Sequence, residues 1–165
     1  VGAAGLPDGR IVGCANGWPK AAPMQIVVYG RRASASVGVD ERTEHFDCYA
    51  HDFYPEAVFG ADWWPANAEC ATIVPLDAAH VVFELAIGKT FLVDGGLTLV
   101  DVALQQRLQT ISVPSHFFVE ELRHHVRCQE IFVRPDGRLL VRACAGFQGG
   151  VVFCVDTGIL HGAAP

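Results

Sequence analysis

Stretch 128–157 alternates apolar and polar positions with a period of two. Ile131, Val133, Leu139, Val141, Val151, Phe153 and Val155 fall on one face, and Glu130, Arg142 and Asp156 fall on the other. That is the signature of half-buried antiparallel strands. Arg134-Pro135-Asp136-Gly137-Arg138 punctuates the pattern: proline pre-sets the first turn position and glycine accepts the left-handed one. A type I turn with a glycine bulge is therefore expected, with Arg134 facing Arg138. Counting back along both strands puts Ile131 opposite Val141, Glu130 opposite Arg142 and Cys128 opposite Cys144. Reading Phe147 to Val151 as a three-residue loop then places Cys154 opposite Cys144 and Asp156 opposite Arg142. The expectation is a three-stranded meander over 128–157, carrying a row of cysteines beside a charged row.

Upstream, Leu6-Pro7-Asp8-Gly9-Arg10 repeats the same turn grammar before Ile11 and Val12. Met24 to Tyr29 suits a buried strand, Ala33 to Val39 an edge strand, and His45 to Ala50 a further strand. Phe53 to Cys70 reads as an irregular aromatic loop, since it holds Pro55, Gly60 and Pro65 among Tyr54, Phe59, Trp63 and Trp64. Val81 to Ala86 and Thr90 to Val93 are again strand-like. After Gly95-Gly96 the period changes. Thr98 and Asp101 form a relative of the capping box, with Val100, Ala103, Leu104, Leu108 and Ile111 at helical spacing, so a helix is expected at 99–109. A second is expected at 115–126, with Ser115 as N-cap and Phe118, Val119, Leu122 and Val126 on one face. Strands, two short helices and strands again predict an α+β fold, mostly antiparallel sheet, in one domain over 1–165.

Composition narrows the function classes. The chain has 165 residues, 51% of them apolar, enough to bury roughly two thirds of its unfolded surface without a disulfide. Apolar runs fall short of a membrane-crossing helix. Net charge is −6, and the only dense basic stretch, Arg123 to Arg127, sits among Glu120, Glu121 and Glu130, which argues against nucleic acid as a partner. Protein is the expected partner class. The Val1 start and the Gly/Ala-rich ends fit a processed piece of a larger precursor as well as a chosen boundary. Six cysteines leave the redox compartment open between an oxidised and a reduced setting.

Candidate chemistry is sparse. Cys14, followed closely by Trp18, invites comparison with a cysteine-protease nucleophile, but Gly17, Pro19 and Pro23 oppose the helix N-terminus that such a thiolate needs. Cys48, His51 and Cys70 resemble part of a zinc site, although a straight strand from His45 to His51 spans about 20 Å and separates the donors. The plainer reading pairs Cys48 with Cys70 or buries each separately. Cys154 with Asp156 and His161 is the remaining catalytic candidate. No cofactor is expected from these patterns. Trp63, Trp64, Tyr54 and Phe59 are the candidate binding aromatics. The leading expectation is a non-enzymatic interaction or structural module, and the rival is a small hydrolase or transferase using cysteine and histidine.

Overall fold

Strands that are apolar on both faces need a covering layer on each side, and two strands in the middle of this chain have that composition. They are β6 (His80–Ile87) and β7 (Phe91–Asp101), with Val81, Val82, Phe83 and Leu85 of the first and Leu97, Leu99 and Val100 of the second all buried. The computed structural model describes residues 2–15, 24–31, 53–66, 68–87, 91–111, 118–121, 126–145 and 148–159. Within them β5 (Glu69–Pro75), β6, β7 and β8 (Gln106–Ile111) form a central antiparallel sheet in that order.

An N-terminal sheet lies on one side, ordered β1 (Ala3–Gly5), β2 (Ile11–Ala15), β3 (Gln25–Arg31) and β4 (Phe53–Gly60). Val12, Cys14, Ile26, Val28 and Phe59 from it share a core with Val81, Phe83, Leu85 and Val100 of the central sheet. On the other side stands the meander of β9 (Val126–Val133), β10 (Leu139–Ala145) and β11 (Gln148–Val155). Its Leu139, Val141, Ile131, Val133, Phe153 and Val155 pack with Val82, Leu97, Leu99 and Ile111. The architecture is three stacked antiparallel sheets, and alternate residues of β6 explain it directly: 81, 83 and 85 face one neighbour while 82 faces the other.

This corrects the α+β expectation, because the regular structure of the described residues is nearly all strand. The first expected helix, 99–109, is the end of β7, a tight turn and the start of β8. The capping signal is physically real: the Asp101 carboxylate accepts hydrogen bonds from the backbone N–H groups of Ala103 and Leu104, at 2.9 and 2.8 Å. Gln105 then turns left-handed, at φ 57°, and the chain reverses instead of propagating a helix. Leu104, on the supposed buried stripe, is 67% exposed. Of the second expected helix, 115–126, residues 118–121 are described together with Val126; Glu120–Glu121 make a short 3₁₀ turn and Val126 already begins β9. Phe53 to Gly60, read as loop, is a strand, and Pro55 is tolerated because β4 is the last strand of its sheet and carries a bulge there. The expected strands at 33–39 and 45–50 lie outside the described residues.

The meander forms as expected, with part of its register shifted. Gly137 sits at φ 79°, and Arg134 N–H donates to the Arg138 carbonyl at 2.8 Å, which is the anticipated turn. Leu6 to Arg10 repeats it, with Gly9 at φ 88° and Leu6 N–H donating to the Arg10 carbonyl at 2.8 Å. Val141 faces Ile131 and Arg142 faces Glu130. Beyond Arg142 a bulge slips β9 by one residue, so Cys128 faces Ala143 and Cys144 faces Arg127. The β10–β11 register is displaced as well: Ala145 pairs with Gln148, which puts Cys154 opposite Leu140 and Val152 opposite Arg142. The cysteine row therefore does not exist. That second shift is an even number of residues, so every side chain of β11 keeps its face and the apolar side survives.

Candidate functional site

The described side chains that could carry chemistry gather in three places. The first is the seam between the N-terminal and central sheets, where the Cys14 thiol of β2 and the Cys70 thiol of β5 are hydrogen-bonded to each other. Cys14 is 3% exposed, and Cys70 is half-buried against the same core. Gly2 seats both. Its carbonyl accepts the Cys14 backbone N–H at 3.1 Å, and a side-chain carbon placed on Gly2 would lie 3.4 Å from the Cys70 sulfur. The hydrogen bond with Cys70 and burial both push the Cys14 thiol far above the ordinary range. The same hydrogen bond holds Cys70 below its usual value, against burial and the nearby Glu84 carboxylate, which act the other way. Glu84 is 7% exposed, with its carboxyl pushed up by burial and partly relieved by a hydrogen bond from Thr72. A β-bulge between Cys70 and Thr72 turns the thiol toward the N-terminal sheet.

The second place is the end of the central sheet. His80 Nδ1 lies 2.8 Å from Asp77 Oδ2, and its Nε2 lies 3.7 Å from Asp101 Oδ2. Both carboxylates already hold turns: Asp77 Oδ1 accepts the N–H groups of Ala79 and His80, each at 2.7 Å, as Asp101 does for Ala103 and Leu104. Burial pushes the Asp77 carboxyl up, but hydrogen bonds from the His80 ring and those two N–H groups outweigh it and hold it low. Arg10 Nη2 donates to the Ala78 carbonyl at 2.8 Å, tying the first hairpin to this turn. With its ring between two turn-holding carboxylates, His80 is placed to clamp strand connections.

The third place is the outward face of the meander. Phe132 and Val152 are 54% and 57% exposed, with Leu140 half-buried between their strands. Ion pairs lie among them: Arg142, opposite Val152, with Glu130 at 3.3 Å, Arg134 with Asp136 at 3.0 Å and Arg138 with Asp156 at 3.9 Å. The exposed Cys154 sulfur is 4.0 Å from Arg134 Nη1.

The catalytic candidates thus separate. Cys14 is buried with Cys70, Cys154 and Asp156 lie on or beside the meander's outer face, and His161 lies outside the described residues. Cys48 and His51 of the zinc candidate also lie outside them, and Cys70 is joined to Cys14. Among the binding candidates, Trp64 and Phe59 are buried, Trp64 donating its indole N–H to the Ala68 carbonyl at 3.1 Å and meeting Phe83 edge-on at 5.9 Å. Trp63 packs on Trp64 at 5.6 Å, with the Arg107 guanidinium 5.6 Å over its ring, and Tyr54 is exposed. Sequence reasoning misses the Cys14–Cys70 pair and the clamp on His80. Neither has a local signal, since each joins residues through sheet stacking or across separate turns. No protein-family model, curated protein or solved structure matches the chain.

Proposed function

We propose that the protein is a non-enzymatic interaction module that binds a protein partner on the outward face of its C-terminal sheet. The observation that carries this reading is the exposure of Phe132 and Val152, with half-buried Leu140 between their strands, among three ion pairs. An apolar centre with a polar rim is the anatomy of protein interfaces, and phenylalanine and arginine are enriched there. Paired strands hold the face rigid, so little ordering entropy opposes binding. Charge narrows the partner. The three arginines of this face are balanced by three carboxylates, while the chain as a whole carries −6. A partner surface with an apolar centre and a mixed-charge rim is favoured at this face. Further support comes from one thiol and the imidazole: the hydrogen bond with Cys70 and burial push the Cys14 thiol up, and His80 is engaged by two carboxylates.

The test compares the wild-type protein with the double variant Phe132→Asp, Val152→Asp. Proteins captured by the wild type are purified and titrated against both forms. The expected result is at least one partner whose Kd weakens about tenfold or more, roughly 1.4 kcal/mol, with Tm unchanged. Partners that bind both forms equally would overturn the reading.

A further inference from the structure

We infer that Cys14 and Cys70 form a reversible redox couple that closes into a disulfide between the N-terminal and central sheets. Sequence spacing gives no hint of it, because the two cysteines lie in different sheets and meet only through stacking. Three observations place them together: each side chain hydrogen-bonds the other, both pack in one core cluster, and Gly2 lies between them, its carbonyl accepting the Cys14 N–H at 3.1 Å and its side-chain position facing the Cys70 sulfur. An S–S bond is about 2.05 Å, and closure draws together two side chains that already flank Gly2. The bulge at Cys70 supplies local freedom on one strand.

The two thiols are unequal, and the inequality sets the order of events. Cys70 is partly exposed and its thiolate is favoured by the hydrogen bond from Cys14, so it is the attacking sulfur. The oxidant is a low-molecular-weight disulfide. The Cys70 thiolate attacks one of its sulfurs, forming a mixed disulfide and expelling one small thiolate. Cys14 then gives its proton to that thiolate and attacks the Cys70 sulfur, expelling the second small thiolate, which takes a proton from solvent. One small disulfide is reduced to two small thiols, and the protein dithiol is oxidised to one disulfide. Excess small thiol runs the exchange backward, so the clamp between sheets opens in a reducing setting. This couple is independent of the meander face.

Oxidised glutathione is the probe, with alkylation and non-reducing peptide mapping by mass spectrometry as the readout. In the wild type, peptides containing Cys14 and Cys70 are expected to become linked, and both thiols to be lost together. In Cys14→Ser, a stable glutathione adduct is expected on Cys70; in Cys70→Ser, Cys14 is expected to stay reduced. Dithiothreitol restores both thiols. Three results would each overturn the couple: no linked peptide in the folded wild type, Cys70 linked elsewhere, or an adduct on wild-type Cys70 that never passes to Cys14. Circular dichroism of each variant confirms that the fold persists, and the wild-type map alone decides the matter if either serine variant unfolds.

Discussion

Toward the N-terminal sheet the central strands present Val81, Phe83, Leu85 and Val100, and these meet Trp64, Phe59, Met24 and the Cys14 thiol. Toward the C-terminal sheet they present Val82, Leu97 and Leu99, which meet Leu139, Val141, Ile131 and Phe153. The first interface mixes aromatic rings, a thioether and a thiol pair, and it closes around a bulged edge strand. The second is built mostly of branched aliphatic side chains, with Phe153 at its margin. A shared sheet can therefore be gripped in two ways: by large rings and sulfur chemistry on one side, and by close-fitting aliphatic volume on the other.

The sharpest way to break that comparison is to remove the largest fully buried ring. Phe83→Ala is expected to cost about 3–5 kcal/mol, since Trp64 edges onto the ring and little can collapse into the void. Leu99→Ala, on the opposite face of the same sheet, is expected to cost about 2–4 kcal/mol. Urea unfolding followed by tryptophan fluorescence and far-UV circular dichroism checks both. Because the central sheet belongs to both cores, the two probes are expected to report one coincident transition in each variant. Separated transitions would mean that the interfaces are independent units.

Oxidation acts on one side only. The loop from Cys14 to Cys70 spans about 56 residues, for which loop-closure entropy predicts up to about 4 kcal/mol of stabilisation when the disulfide forms. Strain lowers that figure, so a rise in Tm on the order of 10 °C is the upper expectation. The comparison then predicts a difference in coupling. The gain should be undiminished in Leu99→Ala, whose site lies across the sheet, and altered in Phe83→Ala, which shares the core with Cys14. Equal gains in both backgrounds, measured by thermal scans with and without reductant, would show that the thiol pair does not feel the aromatic core.

The same contrast separates what is legible in the amino-acid pattern from what is not. The aliphatic side is legible: alternation from Ile131 to Val155 and the Pro135 turn identify the strands, the faces and half the register. A one-residue bulge after Arg142 and the pairing of Ala145 with Gln148 escape, because both depend on backbone choices that alternation does not encode. Parity protects the faces of β11 even so. The central sheet is hard for a different reason. Strands buried on both sides lose their period of two, and 99–109 then imitates a helix, with a genuine Asp101 cap near the imitation's start. At the candidate sites, the residue types Cys14, Cys70, Asp156 and Cys154 are visible, but their company is not. Cys70 meets Cys14 across a layer boundary, and Asp156 meets Arg138 in place of Arg142.

The smallest expected effect concerns the polar end where the interfaces meet. Asp77 holds the turn entering β6 through two backbone N–H groups and the His80 ring, and Arg10 grips the same turn from the first hairpin. Asp77→Ala removes the acceptor for both N–H groups and is expected to cost about 1–2 kcal/mol. The sign with pH follows from the carboxyl being held below its ordinary value by those bonds. The folded state binds the proton less tightly than the unfolded chain, so this contribution is complete above the unfolded value of about 4 and is lost as pH falls through the folded value. Stability profiles of wild type and Asp77→Ala should therefore run parallel near neutrality and converge in acid. If the gap between them stays constant down to the folded value, the turn is held by shape alone. The Arg10 bridge would then be what joins the two interfaces at this end.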